Sequence, residues 1–264
     1  MEIENATIEA YQSDGAVLLP GLFADWVEEL RAGVERNMAE PGEYAAENTV
    51  DGEAGRFFDD YCNWERIPEF ARFIRESEAA RHAARLMRSP SAQFFHDHVL
   101  VKEQATPRET PWHQDLPYYC VDGTQSVSFW LPLDEVDEGS TLRFVDASHR
   151  WPKLLRPLSW KAGEDFYADE DAFMDLPDLE ADGHRVLGWP MRPGDAVAFD
   201  FRTAHGAGGN LGSGRRRAFS HRWMGADMRF CERPGRTSPP YPGIDLKAGD
   251  VMREDWFPTL WPAA

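Results

Sequence analysis

Around residue 113 the sequence reads Pro111-Trp112-His113-Gln114-Asp115-Leu116-Pro117-Tyr118, and a second histidine, His205, stands in Phe201-Arg202-Thr203-Ala204-His205-Gly206. Side chains of an extended strand alternate, so residues two apart point to the same side. His113 and Asp115 are therefore expected to be able to grip one ion together. His205, delivered by a distant strand, would complete a set of two histidines and one carboxylate, the arrangement that leaves open positions on non-haem Fe(II). For the three to meet, segments far apart in the chain must lie side by side. A surface polar pair would give the same three-residue pattern, so the spacing leaves both readings open.

An arginine at a fixed offset narrows the choice. Eleven residues beyond His205 lies Arg216, in Gly214-Arg215-Arg216-Arg217-Ala218-Phe219-Ser220-His221, which reads as a strand after a glycine-rich turn. With this arginine, His-x-Asp and the distal histidine, the chain resembles the phytanoyl-CoA dioxygenase family of Fe(II)/2-oxoglutarate oxygenases. The resemblance runs from about Tyr11 to Trp223 and is poor between Trp151 and Arg185. It implies that His113, Asp115 and His205 hold Fe(II), that 2-oxoglutarate is the cosubstrate, and that O2 takes the remaining site. Arg216 would hold the distal carboxylate of 2-oxoglutarate, a task suited to a planar guanidinium fork. Trp130 stands where the family places a tryptophan beside the cosubstrate, though a core tryptophan is an equal reading, and Val99 is grouped with the cosubstrate residues. Ala147-Ser148-His149-Arg150 is similar to a Gly-Ser-His-Lys segment of the family, with Ala147 in place of glycine. Ala207 stands where the family often has a hydroxyl, so one polar contact to the cosubstrate is expected to be missing. Asp115 fills a position that related halide-transferring enzymes leave without a carboxylate.

In chain order, residues 7 to 12 suit a short helix, and Gly15 to Pro20 a strand. Trp26, Leu30, Val34 and Met38 recur at helical spacing after Asp25, a candidate N-cap. Residues 41 to 55 form a loop, Gly55 to Tyr61 is extended, and helices fill 68 to 88 with Phe70, Phe73, Ile74, Ala83, Leu86 and Met87 buried. In the strand Gln93 to Lys102, His96 and His98 share one face, and Phe95, Asp97, Val99 and Val101 the other. His96-x-His98 is a rival metal pair of the cupin kind, but no Glu or His follows at a spacing that would finish such a set. Val127, Phe129 and Leu131 alternate with Ser128 and Trp130, a half-buried strand pattern. Thr141 to Val145 is a further strand, and Ala196 to Phe201 is the apolar strand that delivers His205. After the glycine-rich turn, Arg216, Ala218, Ser220 and Arg222 share a face.

Four residues are candidates for substrate contact. Arg56 is isolated among acids and is either a solvated ion pair or an anion-binding arginine. Tyr118 and His98 could border the pocket. Arg222 either faces inward or forms an ion pair at the barrel rim. These side chains suggest a small substrate that is polar or anionic.

A formal charge of -18 argues against nucleic acid as a partner, because phosphate binding needs a basic surface. Cys62, Cys120 and Cys231 are scattered and odd in number, which fits a reducing compartment better than a disulfide framework. The polar, acidic start lacks the regions of a signal peptide, and no run approaches a membrane span, so the cytoplasm is the expected compartment.

The expected architecture is mainly β with flanking helices, and its order of helices then strands is what the periodicity supplies. The resemblance makes it a double-stranded β-helix, a cupin-like jelly roll. All 264 residues are read as one oxygenase domain, with helical support mainly in 1–90, the β-helix core mainly in 91–225, a lid at about 151–185 and a tail from 226 to 264. The aromatic tail is also a candidate contact for a second copy in a homo-oligomer. The expected reaction is hydroxylation of an unactivated C–H bond of a small molecule, with 2-oxoglutarate and O2 converted to succinate and CO2. A cupin-like metal-dependent hydrolase or isomerase, or a non-catalytic binding module on the same fold, remains open beside it.

Overall fold

The structure is a computed structural model that describes residues 2–49, 52–158, 166–167, 172–212 and 214–262. The N-terminal third is helical. Helix α1, Asn5–Asp14, stops at Gly15, whose φ of 80° lets its N–H turn back to the Tyr11 carbonyl. The chain then enters β1, Ala16–Leu19, and a 3-10 turn at Ala24–Trp26 before helix α2, Val27–Ala39. Asp25 lies inside that turn and Trp26 takes the cap position, so the expected Asp25 N-cap is not formed. Helices α3, Pro68–Glu76, and α4, Ala79–Met87, follow β2, Ala46–Glu47, and β3, Phe57–Tyr61. Proline in the first turn of α3 sits where no intrahelical partner is lost.

The remaining chain is strand-rich: β4, Ala92–Lys102; β5, Thr110–His113; β6, Val121–Asp122; β7, Ser126–Pro132; and β8, Leu142–Val145. Short strands β9, Leu154–Leu155, β10, Phe173–Met174, and β11, Val186–Gly188, precede β12, Ala196–Phe199, and β13, His205–Ala207. The long β14, Arg216–Met224, leads to β15, Arg229–Phe230, and β16, Thr259–Trp261. One sheet has the order β1-β12-β7-β14-β4-β3-β2 with β16 added on β4, and a second has the order β11-β8-β13-β5. Pairing within both is antiparallel. The two face each other as the jelly roll that the sequence leads one to expect, with Trp130, Phe199 and Ala218 of the larger sheet in one cluster with Leu142, Phe144 and Ala207 of the smaller.

The helices cover the other face of the larger sheet. Leu30, Val34, Phe70 and Phe73 form one core with Val99, Val101, Phe129, Phe219 and Trp223. Each fully buried side chain of this size stabilises by roughly 1.5–3 kcal/mol. Gly33 lets α2 and α3 approach, since a Cβ there would meet the Phe70 ring at 2.5 Å. This cover is why β7 is buried on both faces rather than half-buried. The tail behaves as expected of a packed aromatic segment: Phe257 is fully buried, and the Pro258 carbonyl accepts the Phe94 N–H at 2.9 Å. No described helix is long and apolar enough to cross a membrane.

Strand β4 departs from simple alternation. Arg222 pairs with His96 and Trp223 with Phe94, so Phe95 is an extra residue on β4, a β-bulge. Phe94 therefore faces the helices, as Asp97, Val99 and Val101 do, while Phe95 turns to the cluster of Tyr119, Phe201 and Phe257. The expectation that Phe95 shares a face with Val99 fails for this reason. The lid expected at about 151–185 lies partly outside the described residues. Its described part includes β9 and β10, paired in parallel.

Candidate metal centre

His113 ends β5, and Asp115 caps the following 3-10 turn, Leu116–Tyr118, with helical φ and ψ of -71° and -42°. The pair is brought together by this change of backbone, not by the strand alternation expected from sequence. His205 opens β13 and lies directly opposite His113 in antiparallel register. Asp115 Oδ1 is 3.6 Å from His113 Nε2 and 3.8 Å from His205 Nε2. The three ligand atoms lie within 4.8 Å of one another, and all three residues are buried. Among the described residues this is the one such group, so His96 and His98 do not form a rival set.

The ring nitrogens are sorted by the backbone. His113 Nδ1 donates to the Pro111 carbonyl at 2.8 Å, and His205 Nδ1 to the Thr203 carbonyl at 2.9 Å. A carbonyl can only accept, so each Nδ1 carries the proton and each Nε2 presents a lone pair to the site, as a metal-ligating histidine requires. Burial, with His113 beside it, pushes the His205 imidazole down to about 3, which keeps it neutral. Burial alone would raise the Asp115 carboxyl, but the Arg222 guanidinium and the two histidines hold it well below the usual carboxylate range. Ser128 Oγ donates to Asp115 Oδ2 at 3.1 Å, and Arg222 Nε lies 3.5 Å from the same oxygen. Two imidazole nitrogens and an ionised carboxylate oxygen converging from one side make a donor set that fits a divalent cation.

The triad opens into a cavity of 230 Å³ between the two sheets. Arg216, Trp130, Tyr118, His98 and Arg222 all line it, and each was a candidate from sequence. Arg216 is buried, its Nη1 donates to the Ser140 carbonyl, and burial pushes it down to about 10, still charged at neutral pH. Opposite it in register, Lys102 is also buried, and its Nζ donates to the Arg108 carbonyl at 2.8 Å and to Thr110 Oγ1 and the Gly208 carbonyl at 3.2 Å each. Thr110 lines the cavity directly across from Ala207. A hydroxyl is thus present one strand away from the position where Ala207 lacks it.

Two candidates are corrected. Val99 packs in the core beneath the helices, because it lies on the face of β4 opposite His98, and its neighbour Leu100 joins His96 and His98 in lining the cavity. Arg56 is outside the cavity: Glu47 takes its guanidinium at 2.5 Å, and it stacks 5.3 Å from the Phe58 ring. Arg222, by contrast, is buried beside Asp115 rather than paired at the rim. His149 stays structural, with Nε2 3.3 Å from the Gln12 carbonyl. Sequence reasoning missed Ser128, Thr110 and Lys102. Ser128 shares the cavity face of β7 with Trp130, and a small polar residue there was the available signal.

The profile of the phytanoyl-CoA dioxygenase family matches residues 11–218. Peroxisomal phytanoyl-CoA dioxygenase of Bos taurus is 23% identical over 204 residues, which is 74% of this chain and 53% of that protein. The chain thus spans about half the length of that curated relative. Among solved structures, the non-heme alpha ketoglutarate dependent epimerase SnoN from nogalamycin biosynthesis superposes with a TM-score of 0.77 at 24% identity, covering 97% of this chain and 95% of that one. The carbocyclase SnoK from the same biosynthesis gives 0.73 at 22% identity, with 98% and 96% covered. EctD from S. alaskensis gives 0.71 at 20% identity, with 95% and 88% covered. These structural likenesses are likenesses of fold.

Proposed function

The chain belongs to the phytanoyl-CoA dioxygenase family, and on that premise we propose that it is an Fe(II)- and 2-oxoglutarate-dependent oxygenase that hydroxylates an unactivated C–H bond of a small molecule. The observation that carries this reading is the buried triad, with both Nδ1 atoms tied to backbone carbonyls and both Nε2 atoms aimed at Asp115 Oδ1. A solved complex of SnoN with Fe3+, alpha ketoglutarate and nogalamycin RO gives a precedent for the cofactor set on this fold.

His113, Asp115 and His205 would hold the iron on one face and leave the cavity side open. Arg216 would bind the distal carboxylate of 2-oxoglutarate through its fork, with Trp130 forming a wall, while burial and the neighbouring Arg216 push the Lys102 amine down to about 6. Lys102 Nζ donates to Thr110 Oγ1, which directs the threonine O–H away from the lysine and lets it donate to that carboxylate. When bound, Fe(II) with O2 and 2-oxoglutarate supplies the oxidising power, and the cosubstrate leaves as succinate and CO2. The protein contributes orientation and exclusion of water by Tyr118, Phe166 and Leu158 at the cavity wall. With Asp115 as the third protein ligand, no position would be left for chloride, and oxygen would be the atom transferred to the substrate.

Anaerobic addition of Fe(II) and 2-oxoglutarate should produce a metal-to-ligand charge-transfer band in the visible. Absence of the band overturns the cofactor assignment. Turnover under labelled O2 should then place one labelled oxygen in succinate and one in an alcohol product. An isomerised or ring-closed product with no added oxygen would replace hydroxylation with another reaction of the same centre.

A further inference from the structure

Two polar atoms in the cavity wall have no use in holding iron or 2-oxoglutarate. Arg222 and His96 lie directly opposite each other on β14 and β4, and both line the cavity. They are 5% and 3% exposed, and neither Arg222 Nη1 nor His96 Nε2 has a hydrogen-bond partner. A buried polar atom left unpaired costs roughly 1–3 kcal/mol, and more when it is charged, so a ligand that pairs both recovers that cost.

The chemistry of the two atoms differs. Arg222 Nε donates to Tyr119 Oη at 2.7 Å, which fixes the guanidinium and leaves Nη1 as a donor. His96 Nδ1 lies 3.1 Å from the Asp97 carbonyl, so Nδ1 carries the proton and Nε2 is a lone-pair acceptor. The ring is fixed edge-on between Phe95 and Tyr119, at centroid distances of 4.9 and 5.2 Å. One donor beside one acceptor fits a group that both accepts and donates.

We infer that Arg222 and His96 form a substrate-binding pair for an alcohol: Arg222 Nη1 donates to the hydroxyl oxygen, and the hydroxyl proton is donated to His96 Nε2. A carboxylate fits less well. It would meet the His96 lone pair, and the charge of Arg222 is already offset by Asp115 at 3.5 Å. The sequence suggested a polar or anionic substrate partly through Arg56, and Arg56 is held by Glu47 away from the cavity. The cavity also carries the apolar side chains Leu100, Leu142, Phe166 and Phe199, which suit a hydroxyl borne on an apolar body. This inference rests on the oxygenase reading above and names the substrate class for that site.

The test uses three probes of one shape, cyclohexanol, cyclohexyl methyl ether and cyclohexanecarboxylate, titrated by calorimetry into the anaerobic protein loaded with Fe(II) and 2-oxoglutarate. Cyclohexanol should bind at least about fivefold tighter than the ether, which cannot donate, and tighter than the carboxylate. His96→Phe and, separately, Arg222→Met should each abolish the preference for alcohol over ether. His96→Phe should leave the charge-transfer band of the iron and 2-oxoglutarate unchanged. Equal affinities for alcohol and ether in the unsubstituted protein, tighter binding of the carboxylate, no measurable cyclohexanol binding, or a preference that survives both substitutions would overturn the inference. Failure of the oxygenase reading shows separately, as a missing charge-transfer band.

Discussion

His113 and His205 face each other across the antiparallel pair of β5 and β13, with ring centroids 4.2 Å apart and planes tilted by 49°. Directly opposed residues on two strands keep their Cβ atoms about 4.5–5.5 Å apart, so the register itself sets the spacing of the two ligands. Each imidazole is then oriented by a carbonyl two residues behind it on its own chain segment.

Removal of any ligand should therefore empty the site without unfolding the protein. His113→Ala, Asp115→Ala and His205→Ala are each expected to lose stoichiometric iron, measured by elemental analysis, with the far-UV circular dichroism unchanged. Ser128→Ala removes the hydroxyl that donates to Asp115 Oδ2 and should weaken iron affinity by about tenfold. Full iron content in the alanine ligand variants would move the metal elsewhere.

Arg216→Lys keeps a charge but loses the fork, so the apparent affinity for 2-oxoglutarate should fall about tenfold, on the order of 1.4 kcal/mol. Iron should still bind. Arg217 points to the other face and grips Asp134 at 2.7 and 3.0 Å. Arg217→Lys should accordingly lower thermal stability and leave 2-oxoglutarate affinity alone. The reverse pattern would exchange the roles of the two arginines.

Thr110→Val should weaken 2-oxoglutarate binding by about fivefold, the value of one hydrogen bond to a carboxylate in partly compensated form. Thr110→Ser should not. Because Thr110 and Ala207 are cross-strand partners, adding Ala207→Ser to Thr110→Val should restore most of the loss. Calorimetry with Zn(II) in place of iron reads this without turnover, and a double variant no better than Thr110→Val would remove Thr110 from the cosubstrate site.

Asp200 supplies a pH signature of stability. Burial pushes its carboxyl up from the ordinary 3.8 to about 7. A carboxyl raised on folding favours the folded state most below its unfolded value, and that advantage is lost as pH rises toward the folded value. Asp200→Asn is neutral throughout and can still accept the Arg202 N–H that Asp200 Oδ1 takes at 2.8 Å. Relative to the unsubstituted protein it should gain about 2 kcal/mol of stability between about pH 5 and about pH 8, read by denaturant titration. A gain that does not grow with pH would show that Asp200 is not the buried acid described here.

Much of this was readable from residues alone, for identifiable reasons. The triad and Arg216 were legible because their types and offsets carry chemistry whatever the local backbone does. The buried face of α3 is legible because apolar periodicity reports burial, whereas the half-buried pattern of β7 misleads because helices cover its second face. What was hidden depended on backbone events. His113 and Asp115 converge through a strand that breaks into a 3-10 turn, and Val99 was grouped with the cosubstrate although the alternation of β4 turns it to the helices. Of the two readings of Arg56, the solvated ion pair holds, with Glu47 as the partner, and the anion-binding one does not. Ala147, which stands where glycine was expected, adopts the left-handed φ of 56° that a glycine would have taken without strain.

The extra residue at Phe95 acts as a phase change in strand β4. Upstream of it the strand presents Ala92 and Phe94 to the helices, and downstream the odd-numbered residues do so instead. One continuous strand can thereby serve the aromatic cluster near the C-terminal tail with one set of parities and the iron cavity with another. Deleting Phe95 would leave His96, His98 and Leu100 in frame with Arg222, Ser220 and Ala218, and would shift only the segment that meets the tail. The catalytic half of the strand is in this sense insulated, so length changes near residue 95 should be tolerated by the site more readily than by the fold around the tail.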